Sequence, residues 1–210
     1  MQKKIIKKGI LAKLLEKGIE VLVKKECKKI RKIEIDIVSS SIQIIKGIIK
    51  KIYIKAEGIN YKDLLFDKIE LEANDIKIIF NLHNRELNFE NKFIIKFKIS
   101  LSEDSLKTIL LSDDWNWIEN MISEELLNHN KLEDIRIKNG QILIKTSKKQ
   151  KDINEGEKIN IKEEQGKLYL ENKYCNKSIK IPIEDKVCIR NVNIENNLIN
   201  IFATSSVSFN

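Results

Sequence analysis

Residues 4 to 37 read KIIKKGILAKLLEKGIEVLVKKECKKIRKIEIDI, and the pattern changes period inside that stretch. Up to about Glu26, Ile6, Ile10, Leu14 and Leu22 recur at helical spacing, with Leu11, Leu15 and Ile19 beside them. Together they make a wide apolar stripe, which predicts an amphipathic helix over 4–26. Gly18 falls on that stripe, where the lack of a side chain would let a strand approach closely. After Lys32 the period drops to two. Ile33, Ile35 and Ile37 alternate with Glu34 and Asp36, the pattern of a half-buried strand. The chain is thus expected to open with a helix that hands over to an antiparallel sheet.

The same reading extends outward. Ile52, Ile54 and Ala56 alternate with Tyr53, Lys55 and Glu57, and Phe93 to Leu101 form a longer alternating run. Gly58-Ile59-Asn60 and Asn81 to Asn88 read as turns or short loops. Ser102-Glu103-Asp104 reads as a helix start, and Ser112-Asp113-Asp114 as a fresh N-cap for a second helix through about Leu127. Period two then returns. Hairpins are expected around Asn139-Gly140, Gln165-Gly166 and Asn196-Asn197, with a polar loop at 147–157. The expectation is one α+β domain over 1–210. It comprises a basic helix (1–28), a first β section (29–101), a helical pair (102–128) and a second β section (131–209).

The net charge of +8 is unevenly placed. Residues 1–32 hold twelve Lys or Arg against three Glu, a balance of +9, so the rest of the chain is close to neutral. A local basic segment suits an anionic partner such as lipid headgroups, nucleic acid or an acidic protein face.

Catalytic and metal-binding patterns are absent from the sequence. His83 and His129 are the only histidines, and neither lies in a ligand spacing. Cys27, Cys175 and Cys188 are too scattered for a zinc site or a disulfide framework. There is no GxGxxG, GxxxxGK[ST] or GxSxG. Asp113-Asp114 reads as helix capping, Glu124-Glu125 as a solvated face, and Ser39-Ser40-Ser41 has no base nearby in sequence. A non-enzymatic protein with no cofactor and no metal is expected. Charges interrupt every candidate leader, and no run approaches about 20 apolar residues. The expected location is therefore cytoplasmic, at the periphery of a membrane. Trp115 and Trp117 are expected on different faces of their helix, one packed and one free for a membrane interface or a partner.

The stretch from Ile45 to Ile78 (IKGIIKKIYIKAEGINYKDLLFDKIELEANDIKI) resembles the LmeA-like phospholipid-binding family, formerly a domain of unknown function, and in particular its cyanobacterial branch. The features that carry the resemblance are Gly47, Ala56, Tyr61, Leu64 and the Asn74-Asp75-Ile76-Lys77-Ile78 segment. Leu101 to Leu106 and the closing hairpin from Val187 to Val207 add to it. The chain departs from the pattern at Asp63, at Asn84-Arg85-Glu86-Leu87 and at Ser105. The resemblance implies a tubular lipid-binding type of fold, with the long N-terminal amphipathic helix packed on a strongly curved antiparallel sheet around an apolar groove. The family supplies no catalytic residue to transfer.

The expected function is phospholipid binding at a membrane surface. Leu11, Leu14, Leu15, Ile19, Leu22 and Trp117 would contact lipid, and Lys3, Lys4, Lys7 and Lys8 would meet anionic headgroups. The alternatives are a protein-interaction scaffold, or a nucleic-acid binder using the same basic helix; the sheet faces carry no basic patch interleaved with aromatics that the sequence reveals. The helix has one apolar stripe, expected to serve either its own sheet or a membrane.

Overall fold

The structure is a computed structural model that describes residues 9–81, 86–147 and 156–208. Helix α1 (Ile10–Glu26) leads into β1 (Lys29–Val38), the short α2 (Ser41–Ile45), β2 (Ile48–Tyr61), β3 (Leu64–Asn81), β4 (Glu86–Phe89) and β5 (Phe93–Ser102). The middle of the chain holds α3 (Glu103–Leu110), a 3-10 turn (Asp113–Trp115) and α4 (Asn116–Glu125). Strands β6 (Leu132–Lys138), β7 (Gln141–Thr146), β8 (Glu157–Glu164), β9 (Lys167–Asn172) and β10 (Lys177–Lys180) follow, and β11 (Val187–Glu195) and β12 (Leu198–Val207) close the chain. The architecture is mostly antiparallel β with an N-terminal helix and few others, and neither sheet closes on itself.

The first sheet has the order β1-β2-β3-β5-β12-β11, with β4 paired to β3; the second is β10-β9-β8-β7-β6. The last hairpin therefore crosses back to extend the sheet begun by the first three strands. Among the described residues, four two-residue hairpin turns have both central residues at positive φ: Lys62-Asp63, Asn139-Gly140, Gln165-Gly166 and Asn196-Asn197. Their backbone twist matches that of the strands they join, which is why hairpins favour them.

The first of these corrects the sequence reading. The expected turn at Gly58-Ile59-Asn60 lies inside β2, and the chain reverses at Lys62-Asp63 instead. Alternation outweighs the glycine there: Ala56 and Ile59 are buried, and the pairing with β3 runs on to Tyr61–Leu64. Asn60 Oδ1 then accepts from the Asp63 N–H at 3.1 Å, and Lys28 pairs with the Asp63 carboxylate. Gly58 keeps a positive φ, with the Arg31 side chain close against it.

Two further expectations change. Ser112 does not cap a new helix; its hydroxyl donates back to Ile109 O at 2.8 Å, and the chain makes a 3-10 turn before α4. The loop expected from Asn81 to Asn88 gives way at Glu86 to β4, while His83 lies outside the described residues. Helix α2 is an element that the period-two pattern does not announce; Ser40 and Gln43 close it with a reciprocal capping box. Helix α1 begins at Ile10, and the part of the expected helix before Gly9 lies outside the described residues.

Two main cores result. Leu15 and Ile19 of α1 pack on one face of the first sheet, against a cluster containing Ile37, Ile49, Ala73, Ile76 and Phe93. The larger core joins α3 and α4 to the second sheet and to the β5–β12–β11 end of the first, around Ile122, Leu126, Ile135, Ile144, Ile159 and Ile199. A third cluster (Leu168, Ile189, Ala203) continues the contact between β9, β11 and β12.

Candidate functional site

The first sheet has an inner face, and pairing register decides what lies on it. Ile54 stands opposite Leu71, which stands opposite Phe97; Ala56 stands opposite Ile69, which stands opposite Ile99. At its N-terminal end α1 fills this face with Leu15 and Ile19. At the other end the second sheet and its neighbours fill it. Between them, beneath the last turns of α1, the face is left uncovered.

That gap is a cavity of about 330 Å³. Leu22, Val23, Glu26 and Cys27 roof it from α1 and its C-cap. Its floor is Ile30 on β1, Ile54, Ala56 and Ile59 on β2, and Phe66, Ile69 and Leu71 on β3, with Tyr61 at the hairpin end. Glu26 is the one charged lining residue, and it is exposed. Burial pushes the Cys27 thiol up from its ordinary pKa, with the Glu26 charge adding to the effect. Such a lining offers dispersion contacts and removal from water, and nothing for acid–base chemistry.

The expected site residues divide. Leu15 and Ile19 belong to the core between α1 and the sheet, and Leu11 is half-buried. Leu14 and Leu22 are each 64% exposed. The stripe is thus not committed to one use. Its width spans more than the helix–sheet contact, so one edge packs while the other, formed by Ile10, Leu14, Val21 and Leu22, faces water. Leu22 alone of the six lines the cavity, at its rim. Gly18 is corrected in the same way: a Cβ there would meet nothing within 4 Å, so no strand approaches it. Lys3, Lys4, Lys7 and Lys8 lie outside the described residues.

The exposed sector of α1 is bordered by Lys13, Lys17 and Lys24, all exposed. Lys24 and Lys17 both bind the Glu20 carboxylate, at 2.6 and 2.9 Å, and hold it below the usual glutamate range. Gly9, at the start of α1, sits against Ser41 of α2. The two isoleucines of α2 that follow, Ile42 and Ile45, are exposed by 67% and 74%, so that end of the molecule adds apolar surface.

Trp117 does not line the cavity. It is exposed, and its ring lies 6.1 Å from that of Trp115, so the two indoles are neighbours and do not diverge as the sequence suggested. The 3-10 turn causes this by replacing the first turn of the expected helix. Trp115 Nε1 donates to Lys62 O at 3.0 Å, which ties the helical pair to the β2–β3 turn.

A second, polar cavity of about 540 Å³ lies beside α3 and α4, lined among others by Glu119, Ser123, His129 and Lys131. Its buried carboxylate is structural: Glu119 Oε1 accepts from Ser123 Oγ at 2.8 Å and from the Leu132 N–H at 3.1 Å. Among the described residues, no group of three or more His, Cys, Asp or Glu is placed to hold a metal ion. No described helix is long and apolar enough to cross a membrane. No family model, curated protein or solved structure matches the chain.

The sequence missed the floor of the cavity. Its signal was present in the alternation of Ile54, Ala56, Ile69 and Leu71, but which pairs share a face depends on where the hairpin turns.

Proposed function

We propose that the protein binds lipid without catalysis, holding an acyl chain in the cavity under the C-terminal half of α1 while the exposed edge of that helix rests on an anionic membrane surface. The observation that carries the reading is the cavity itself, roofed by Leu22 and Val23 and floored by three strands of apolar side chains. Its volume falls at the lower end of the roughly 300–1,000 Å³ of small-ligand pockets, which suits a chain segment better than a whole lipid. The headgroup would then stay outside, where Lys13, Lys17, Lys24 and Lys25 stand exposed.

On this reading, α1 over β1–β3 plays the part of the long helix on a curved sheet in tubular lipid-binding folds. The +9 balance of residues 1–32 supplies the attraction to anionic headgroups, at about 1 kcal/mol for each Lys or Arg near the surface. Ile10, Leu14, Val21 and Leu22 supply the apolar contact.

Protein expressed in bacteria and extracted into organic solvent should yield co-purifying lipid by mass spectrometry, and the same preparation should sediment with anionic vesicles. Protein that is free of lipid and also stays in the supernatant overturns the proposal.

A further inference from the structure

The outer face of the first sheet, turned away from α1, carries a groove of about 530 Å³ across β3, β5, β12 and β11. Register places Lys96 opposite Thr204 and Lys98 opposite Phe202. Strand β11 loses register between Ile189 and Asn191, so Arg190 is the residue that the irregularity inserts. A bulge of this kind re-aims a side chain, and here it sends Arg190 over β12. Arg190 Nε donates to Thr204 Oγ1 at 3.1 Å. That bond orients the guanidinium towards β12 and leaves its four Nη N–H donors available.

The charges in this groove are unevenly satisfied. Glu70 and Glu72 line it too, but Glu70 pairs with Lys68 at 2.6 Å and Glu72 with Lys51 at 3.0 Å. Lys96, Lys98 and Arg190 have no carboxylate within ion-pair distance among the described residues. Lys98 Nζ instead lies 5.1 Å from the centre of the Phe202 ring. Glu72 and Glu70 stand opposite Lys96 and Lys98 across β3 and β5, yet their ion pairs go to Lys51 and Lys68, so three cations line the groove without a carboxylate of their own.

We propose that Lys96, Lys98 and Arg190 form a phosphate-binding site on the outer face of the first sheet, with Arg190 presenting its fork to two phosphate oxygens and the lysines supplying charge from β5. A planar fork held by a second-residue contact suits bidentate binding of phosphate, whereas a lysine acts as a point charge. The phosphate can belong to a soluble organic phosphate or to a lipid headgroup. The site lies on the opposite face of the sheet from the apolar cavity and stands or falls independently of it.

The test is titration of the full chain at low salt with inorganic pyrophosphate, with ATP, and with vesicles of phosphatidic acid in phosphatidylcholine. Binding in at least one arm is expected, with Arg190→Ala weakening it tenfold or more. Saturation by pyrophosphate or ATP identifies a soluble phosphate; binding confined to the vesicles identifies a headgroup. A variant with Lys3, Lys4, Lys7 and Lys8 all changed to Ala should keep pyrophosphate or ATP affinity, and in the vesicle arm should retain a further loss on Arg190→Ala. No binding in any arm overturns the proposal, as does undiminished binding by a folded Lys96→Ala, Lys98→Ala, Arg190→Ala triple variant. If that variant does not fold, Arg190→Lys decides: it keeps the charge and loses the fork, and unchanged affinity overturns the site.

Discussion

Glu16 Oε1 accepts a hydrogen bond from the Ile37 N–H at 2.9 Å, so a helix side chain closes the backbone of an edge strand. The second sheet repeats the device on its own edge strand, where Glu103 Oε2 accepts from the Ile137 N–H at 2.8 Å and Glu119 from Leu132. Unpaired edge N–H groups invite other chains, and these carboxylates occupy them. Glu16→Ala leaves the donor of a buried residue unpaired and is expected to cost about 1–3 kcal/mol in chemical denaturation. Glu16→Gln keeps an acceptor and should cost less, with faster amide exchange at Ile37 in the Ala variant alone.

The exposed edge of α1 should matter little for folding and much for membranes. Leu14→Asp and Leu22→Asp are expected to change stability by no more than about 0.5 kcal/mol, as surface substitutions do. Sedimentation with anionic vesicles should fall sharply in both. Loss of folding in circular dichroism would instead mean that these leucines are packed.

Cys27 reports on the cavity because it lines it. Added fatty acid should slow its alkylation, while Cys188, on β11 away from the cavity, keeps its rate. Equal slowing at both thiols would contradict acyl-chain binding at this position.

Two glycines should respond in opposite directions. Gly18→Ala meets no neighbour and is expected to stabilise by roughly 1 kcal/mol through helix propensity. Gly47 has a φ of +71°, and a Cβ there would lie 2.0 Å from Ile78 O. Gly47→Ala is therefore expected to destabilise by about 2 kcal/mol or more, adding a clash to the left-handed strain. Thermal denaturation of both variants checks the pair.

Asp134 on β6 pairs with Lys107 on α3, which holds its carboxyl below the usual aspartate range, aided by the Ile135 N–H. Because the folded value is depressed, the contribution is complete above the unfolded value of about 3.9 and is lost as pH falls through the folded one. The pair is partly exposed, so Asp134→Asn should cost no more than about 1 kcal/mol at neutral pH. The difference from the unsubstituted protein should shrink below about pH 4 in acid titrations of stability.

The sequence made the helix and most strands legible because both are periodic over many residues, from Ile10 to Leu22 and from Phe93 to Leu101. Asn139-Gly140, Gln165-Gly166 and Asn196-Asn197 were legible because their residues tolerate positive φ. Lys62-Asp63 was not, since its conformation is stabilised from outside by Asn60 and Lys28. The division of the α1 stripe was equally hidden. A helical wheel shows how wide an apolar face is, and only the rotation of the helix on its sheet shows which edge stays wet. The outer groove depends on an irregularity in β11 and on which lysines win Glu70 and Glu72, and neither follows from residue spacing.

Leu22 belongs to two surfaces at once, the rim of the cavity and the wet edge of the helix. Under the proposed function, this makes cargo and membrane thermodynamically linked. A chain in the cavity that shifts Leu22 changes the affinity for the bilayer, and by reciprocity the bilayer changes the affinity for the chain by the same factor. Loaded and empty protein would then partition differently between membrane and water without any hinge or lid, through the placement of one leucine.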